Sequence, residues 1–270
     1  MGKAELEILI LVENKVYSSN LIAEHGLSFY LKYKGKKYLF DTGQGLAIIN
    51  NARELNVDFN KLDGVFLSHG HYDHTGGLQK VLEVNPDLKV YGHPDIFRPM
   101  YSRRENYYKD VGFSMKREDI ANFIPISKMT EIYSGIWLTG EIPGKIKPYS
   151  KFKTGSLSQL KDDYFKDDQS LVIETKKGLV VVLGCSHAGV INILKYINKK
   201  FADNIFAVIG GMHLKDMKKE KVEDIIDYLS DLDLKLLSPL HCTGIEVACQ
   251  MQNRLGAKVK RASIGEKFVI

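Results

Sequence analysis

Four side chains that commonly bind metal ions lie within six residues of this sequence. His69, His71, Asp73 and His74 follow directly after the apolar run 65–67. Imidazole nitrogen and carboxylate oxygen are good ligands for zinc and similar divalent metals. Residues two apart in an extended chain project to the same side, so His69 and His71 can share one metal. Asp73 and His74 can then reach a second metal, which makes a chance cluster of surface polar residues the weaker interpretation.

Two histidines elsewhere are predicted to complete these sites. His187 follows a predicted strand at 179–183, and His241 follows a predicted strand at 234–237. Because open α/β sheets place their sites at strand ends, we expect both to be metal ligands.

The roles of the other polar candidates differ with their surroundings. Asp41 ends an apolar strand, where it could accept a ring N–H from a metal-bound histidine or cap the following helix. His213 also follows a predicted strand and could be a ligand, a substrate contact or a structural residue. His25 and His93 have no comparable setting, and we expect them to be structural.

The elements that must position these residues alternate between strands and helices. The hydrophobic pattern predicts strands at 5–12, 27–33, 36–41, 65–67, 170–175, 179–183, 205–209, 234–237 and 267–270, and helices at 45–55, 75–84, 189–197, 222–229 and 245–255. Such mixing indicates an α/β chain with two sheets between helical layers. Since no linker divides it, residues 1–270 are predicted to form a single domain.

One segment breaks the alternation and is predicted to cover the site. Residues 94–128 are irregular in pattern and rich in aromatic and basic side chains, which suggests an inserted cap. Guanidinium and ammonium groups bind phosphate, and aromatic rings stack on flat heterocycles. The candidate substrate contacts are Arg98, Arg103, Arg104, Lys109 and Tyr107.

Composition narrows the class of protein. The chain has 270 residues, a net charge of +5 and three cysteines. The odd cysteine count argues against a disulfide framework and favours a reducing compartment, so we expect a cytoplasmic protein. No apolar run approaches a membrane span, and the mild positive charge suits a small anionic substrate better than nucleic acid. Nothing in the sequence sets the oligomeric state.

These motifs resemble those of the metallo-β-lactamase superfamily. The matching segments are the HxHxDH motif at 69–74, Phe-Asp-Thr-Gly at 40–43 and Pro-Leu-His at 239–241. The resemblance implies a four-layer αββα sandwich with one or two metals between the sheet edges. It covers nearly the whole chain.

Two departures from the common superfamily pattern bear on the ligand set. Thr-Gly-Glu-Ile-Pro stands at 139–143 where many members carry a histidine, and Gly-Cys-Ser-His stands at 184–187 where many carry a bridging aspartate. The resemblance therefore implies that His187 is the third ligand of the first metal. Cys185, Glu141 or a water could fill the bridging place, and single-metal occupancy remains open.

Together with Gly-Gly-Met-His-Leu at 210–214 and the basic, aromatic insertion, these two segments are similar to one branch of the superfamily, the 7,8-dihydropterin-6-methyl-4-(β-D-ribofuranosyl)-aminobenzene-5′-phosphate synthases. Our main hypothesis is a hydrolase that attacks a phosphate ester or similar anion with metal-activated water. Asp73 would hold a metal and orient the nucleophile, and His213 would stabilise developing charge. The alternatives are a synthase or transferase of methanopterin-type metabolism and a non-catalytic metal-bound sensor. Two zinc ions are expected, with manganese, iron or nickel as alternatives.

Overall fold

The computed structural model describes residues 5–144 and 151–270 of the chain. In chain order the strands are β1 (Leu6–Val12), β2 (Ser28–Tyr33), β3 (Lys36–Phe40), β4 (Gly64–Phe66), β5 (Val90–Gly92), β6 (Met100–Arg103), β7 (Tyr108–Asp110), β8 (Phe123–Pro125), β9 (Thr130–Tyr133), β10 (Ile136–Leu138), β11 (Phe152–Ser156), β12 (Gln159–Asp162), β13 (Leu171–Thr175), β14 (Gly178–Leu183), β15 (Ile205–Gly211), β16 (Leu236–Leu240) and β17 (Lys267–Val269).

Along the chain, the helices lie between strands. They are α1 (Ile48–Glu54), α2 (Tyr72–Thr75), α3 (Leu78–Val84), α4 (Val190–Lys200), α5 (Lys219–Asp231) and α6 (Ile245–Leu255), with 3₁₀ turns at Phe59–Lys61, Pro94–Phe97, Arg117–Asp119, His241–Thr243 and Gly256–Lys258. Among the helices in the described part of the chain, none is long and apolar enough to cross a membrane.

Two large sheets form the centre of the molecule. The first has seven strands in the order β17-β1-β2-β3-β4-β5-β8, and the second has six in the order β16-β15-β14-β13-β10-β9. Strands β3, β4, β5 and β8 run parallel, as do β14, β15 and β16. Parallel neighbours end at the same sheet edge, so the segments after β4, β14, β15 and β16 can supply residues to one site.

Three hydrophobic layers separate four layers of secondary structure. Alternate residues of β1 point to opposite faces, so Ile8 and Ile10 pack between the sheets while Leu9 and Leu11 pack on the outer face, with α1 and α3. On the other sheet, Val180 of β14 faces β1 and its neighbours while Val181 packs outward beneath α4, α5 and α6. The predicted four-layer αββα sandwich is thereby confirmed.

The helix predicted at 75–84 is wrong in one respect, because it is two helices. α2 ends at Thr75 and α3 begins at Leu78, and the break lies at Gly76 and Gly77. A β-carbon on Gly77 would stand 2.2 Å from the carbonyl oxygen of Thr42. Because of this break, the segment after β3 lies against the HxHxDH motif.

The segment 94–128 is also more ordered than its pattern predicted. It contains β6 and β7, which join β11 and β12 in a small four-stranded sheet, and it contains β8, which extends the first large sheet. The expected irregular cap is thus partly a β-sheet, and strands from beyond residue 150 complete it. The pairing of β6 with β11, about 50 residues further along the chain, cannot be read from the local pattern of β6.

Candidate metal centre

The HxHxDH segment crosses from a strand to a helix at the shared sheet edge. It follows β4, and its last residues form α2. His69, His71, Asp73 and His74 are all buried. Burying a polar side chain without a partner costs free energy, so the groups beside each of these four residues indicate what it can bind.

Three imidazoles form what we name the first cluster: His69, His71 and His187. One nitrogen from each lies within 4.8 Å of the others, and the three ring centroids are 4.7 to 4.9 Å apart. The Nε2 atoms of His69 and His71 are buried and have no hydrogen-bond partner among the residues that the structure describes. Burial lowers the pKa of His71 to about 3 and that of His69 well below its usual value. Neutral imidazoles converging in this way fit a divalent metal.

A second group of donors adjoins the first, and we name it the second cluster: Asp73, His74, His241 and Cys185. Nε2 of His74 lies 3.3 Å from Nε2 of His241 and 3.1 Å from Sγ of Cys185. Nε2 of His241 lies 3.4 Å from Oδ2 of Asp73. Burial would raise the pKa of Asp73, but contacts with His241 and His25 hold it well below its usual value. The ionised carboxylate and the converging nitrogens also fit a divalent metal.

Asp41 orients one histidine in each cluster. Its Oδ2 accepts hydrogen bonds from Nδ1 of His74 and Oγ of Ser68, each at 2.7 Å, and Oδ1 accepts from the Ser68 amide. Because the Ser68 hydroxyl gives its proton to Asp41, it accepts from Nδ1 of His69, 2.9 Å away. In their neutral forms both imidazoles therefore present an unprotonated Nε2 to the clusters.

The negative charge of Asp41 also favours the protonated form of His74. Burial disfavours the charged imidazole of His74, but the Asp41 carboxylate outweighs this and raises the pKa of His74 to about 9. A bound cation would compete with that proton for Nε2. The expectation that Asp41 supports a histidine of the site agrees with this placement.

Cys185 and Glu141, the two protein groups expected at the bridging place, differ in burial. Cys185 is buried, and its Sγ is within 4.8 Å of donors from both clusters. Glu141 is exposed, and its backbone amide donates to Ser127. The structure thus brings Cys185, and not Glu141, to the junction of the clusters.

His213 lies beside the first cluster, after β15. Its ring centroid is 4.4 Å from that of His187, and its backbone amide donates to Sγ of Cys242 at 3.2 Å. The residue has a φ of 51°, which turns the chain toward the site directly after the strand. Both His213 and Cys242 border the cavity above the clusters.

His25, which the sequence analysis expected to be structural, lies at the second cluster. Its Nε2 is 3.1 Å from Oδ2 of Asp73, and its ring centroid is 5.0 Å from that of His241. It comes from the loop between β1 and β2, whose position beside Asp41 follows from the antiparallel pairing of β1, β2 and β3. No local signal marks it, because only the strand order brings this loop to the site.

A polar run before β13 holds the backbone of the first cluster, and it was not predicted. Asp167 accepts from the amide of Gly70 at 2.8 Å, and Asp168 accepts from the amide of Ala188 at 2.9 Å. These amides flank the first-cluster histidines. Burial raises the pKa of Asp168 to about 7. The available signal was a run of charged and amide side chains directly before an apolar strand.

A cavity of about 270 Å³ opens above both clusters. Its walls include Arg104 and Ser102 from β6 and its adjoining loop, and Lys215 after β15. Lys151 also lines it, and the ammonium group of Lys151 pairs with Asp216 at 2.8 Å. Metal-binding donors on the floor and cationic groups on the wall give the cavity the character of an anion-binding site.

The other predicted substrate contacts are placed differently. Arg98 does not face the cavity, because its guanidinium binds Asp163 at 2.8 Å and Asp167 at 2.7 Å, which corrects its expected role in phosphate binding. Lys109 lies 3.3 Å from the hydroxyl of Tyr72, at the cavity edge. Arg103 and Tyr107 are exposed and do not border the cavity.

Comparisons with known proteins agree with this fold. The model of the metallo-β-lactamase superfamily matches residues 22–188. The 7,8-dihydropterin-6-methyl-4-(β-D-ribofuranosyl)-aminobenzene-5′-phosphate synthase of Methanocaldococcus jannaschii is 30% identical, over 98% of this chain and 97% of its own. A crystal structure of a metal-dependent hydrolase of the beta-lactamase superfamily matches with a TM-score of 0.85 and 30% identity, over 98% of this chain and 99% of its own. Zn²⁺-bound PqqB from Methylobacterium extorquens matches the fold at 14% identity, with a TM-score of 0.58, over 98% of this chain and 100% of its own.

Proposed function

The chain belongs to the metallo-β-lactamase superfamily, and we propose that it is a metal-dependent hydrolase of a phosphate ester or similar small anion. One observation carries the proposal: residues of two adjoining donor clusters line the floor of a cavity whose wall carries Arg104 and Lys215. A hydrolase of an anionic ester needs both features, since the charge must be bound and water must be activated beside it.

We assign one divalent metal to each cluster. His69, His71 and His187 would hold the first, and Asp73, His74 and His241 the second, with Cys185 between them. Zinc suits this mixture of nitrogen, oxygen and sulfur donors, and manganese, iron or nickel are the alternatives. A centre with a single metal would use the first cluster, because its nitrogens are held by buried, neutral imidazoles.

The chemistry divides between the metals and the side chains. Bound divalent metals lower the pKa of coordinated water toward ~7 and polarise the scissile group. Asp73 would hold the second metal and would orient the nucleophile on that side of the cavity. His213, beside His187 at the cavity wall, is placed to donate a hydrogen bond to charge that develops on the substrate.

The cavity wall would bind the anionic group of the substrate. Arg104 can form two parallel hydrogen bonds to a phosphate, and Lys215 adds a point charge. The ring of Tyr72 also lines the cavity, where it could contact an aromatic portion of the substrate. The ammonium group of Lys109 lies over that ring, 4.8 Å from its centre, in a cation–π contact.

The test combines metal content with turnover. The purified chain is analysed for metals, loaded with zinc or manganese, and assayed with bis-p-nitrophenyl phosphate. About two metals per chain with metal-dependent turnover is the expected result. One metal or none, without turnover of this or other phosphate esters, would contradict the proposed hydrolase.

A second candidate function rests on the similarity to the synthase of Methanocaldococcus jannaschii. In a synthase or transferase, the same metals would activate the leaving group of a pterin-type substrate, and an organic nucleophile would replace water. Product analysis with a phosphorylated pterin and an aromatic amine as the organic nucleophile separates the two functions. A joined product indicates the synthase, and the hydrolysed fragment alone indicates the hydrolase.

A further inference from the structure

The loop between β1 and β2, residues 13–27, reaches the second cluster from outside the HxHxDH segment. It carries Asn14 and His25, and both border the cavity. The side chain of His25 is 57% exposed, whereas that of Asp73 beside it is 10% exposed. A loop that reaches a metal-binding carboxylate from the solvent side can control how that carboxylate is oriented.

Three other contacts fix the position of this loop. Glu24 accepts hydrogen bonds from four successive backbone amides, those of residues 44–47, at 2.7 to 3.1 Å. Glu13 accepts from the backbone amide of His241 at 2.7 Å. The amide of Leu27 donates to the carbonyl of Asp73 at 3.2 Å. The loop is therefore hydrogen-bonded to both the HxHxDH motif and the segment after β16. These bonds hold its side chains beside the second cluster.

The amide of Asn14 contacts both histidines of this region with opposite polarity. Its Oδ1 accepts from the Gly26 amide at 3.3 Å and lies 2.8 Å from Nδ1 of His241. Its Nδ2 lies 3.4 Å from Nδ1 of His25. Since the Gly26 amide can only donate, the carbonyl side of Asn14 must face Gly26 and His241, and the NH₂ must face His25.

These contacts determine which ring nitrogen carries the proton in each histidine. His241 donates from Nδ1 to Asn14, so in the metal-bound form its Nε2 would be unprotonated and would face the second cluster. His25 accepts at Nδ1, so its Nε2 carries the proton and donates to Oδ2 of Asp73, 3.1 Å away. The Asn14 amide thus leaves Nε2 of His241 free to bind a metal and leaves Nε2–H of His25 to donate a hydrogen bond to Asp73.

We propose that Asn14 and His25 are positioning residues of the second metal: Asn14 sets both tautomers, and His25 holds the Asp73 carboxylate by a hydrogen bond. The inference rests on the proposed function, because it requires that the second cluster binds a metal. Neither residue lies in the HxHxDH segment or among the metal ligands assigned above. The pair acts on metal binding through Asp73 and His241.

The first experiment reads the tautomers directly. The protein, labelled with ¹⁵N-histidine and loaded with zinc, is studied by two-bond ¹H–¹⁵N correlation, and His25→Gln identifies the His25 signals. We expect the Nε2–H form for His25. In Asn14→Asp both side-chain oxygens can only accept, so His25 should gain a proton at Nδ1 and become an imidazolium that donates to both carboxylates. A His25 with Nε2 shifted as in a zinc ligand, or a His25 Nδ1 that Asn14→Asp leaves unprotonated, would overturn the inference.

The second experiment measures affinity for the second equivalent of zinc by competition with a chelator. His25→Ala should lower that affinity about 10- to 100-fold, the usual range for removing such a supporting hydrogen bond. His25→Gln should largely retain it, because the glutamine amide can still donate to Asp73. Equal losses in both variants, or no loss in either, would contradict the positioning role.

A matched control separates this effect from a general loosening of the loop. The side chain of Gln44 donates to the backbone carbonyl of His25 at 3.1 Å, and Gln44→Ala removes that tether but keeps the imidazole. Its zinc affinity should equal that of the unaltered protein. If the unaltered protein binds no second zinc, the proposed metal centre fails, whereas a second zinc with insensitive variants defeats only the Asn14–His25 inference.

Discussion

The two clusters are built on different physical principles although they adjoin. The first cluster consists of three imidazoles whose rings are packed together and against Phe165, which stacks on His187 with centroids 4.0 Å apart. Its backbone is anchored by Asp167 and Asp168. The second cluster mixes carboxylate, thiol and imidazole, and side-chain hydrogen bonds from Asp41, Asn14 and His25 orient it.

The difference concerns how each cluster responds to change. Packing and backbone anchors fix where the first-cluster rings lie, so its metal affinity should depend on the ligands and on the groups that anchor the backbone. Side-chain hydrogen bonds fix the tautomers of the second cluster, so its metal affinity should depend on residues such as Asp41, Asn14 and His25. We therefore expect the first cluster to bind metal more tightly and the second to be the more sensitive to substitution of hydrogen-bonding side chains.

The largest effect is expected from removing a first-cluster ligand. In His71→Ala the first metal loses one of three nitrogens, so its affinity should fall by more than about 100-fold. Turnover should be lost with it. Metal analysis measures the loss of metal. Circular dichroism should show that the fold is retained, because the proposed role of the His71 imidazole is to bind metal. Full metal content in this variant would remove His71 from the ligand set.

The next effect concerns the anchor of the first cluster. Arg98→Ala would leave the buried carboxylates of Asp163 and Asp167 without their cation, at a cost of about 3–5 kcal/mol in the free energy of unfolding. Denaturant titration measures it. Because Asp167 also holds the amide of Gly70, affinity for the first metal should fall more than that for the second. Unchanged stability would show that the ion pairs do not support this wall of the site.

A smaller effect is expected at the residue that serves both clusters. Asp41→Asn keeps the shape of the side chain but removes the charge and one acceptor, so His74 loses its fixed tautomer. Affinity for the second metal should fall about 10- to 100-fold, as measured by zinc competition. His69 should be less affected, because Ser68 stands between it and Asp41. Equal losses at both metals would contradict the distinction between the clusters.

The smallest effect is expected at the cavity wall. Arg104→Ala should raise KM for a phosphate-ester substrate about tenfold, the range for one charged hydrogen bond at a partly solvated site, and leave metal content unchanged. Arg103→Ala is the matched control, since the neighbouring exposed side chain does not border the cavity. If both substitutions act alike, the effect is one of overall charge and Arg104 has no specific contact.

Local sequence was sufficient to predict which side chains lie together where they are neighbours in the chain or follow a strand. His69, His71, Asp73 and His74 lie within six residues after β4, and His187 and His241 follow β14 and β16, whose ends meet at one sheet edge. His25 could not be found in this way, because strand pairing across the first sheet brings its loop to the site. Arg98 was misjudged for a related reason: its partner Asp163 lies 65 residues further along the chain.

The fold shows the same limit. Apolar periodicity predicted the αββα layers, since each layer buries one face of its own elements. It failed for the small sheet of β6, β7, β11 and β12, whose strands are half exposed and join segments on both sides of residues 129–150. Exposed strands carry little hydrophobic pattern, so only their pairing partners reveal them.

The most direct test of the two-cluster centre is a crystal structure of the zinc-loaded protein, with anomalous diffraction measured above and below the zinc absorption edge. The account predicts two peaks, one among His69, His71 and His187 and a second among Asp73, His74 and His241, with the higher occupancy at the first. Peaks outside these clusters, or a fuller second peak than first, would contradict it.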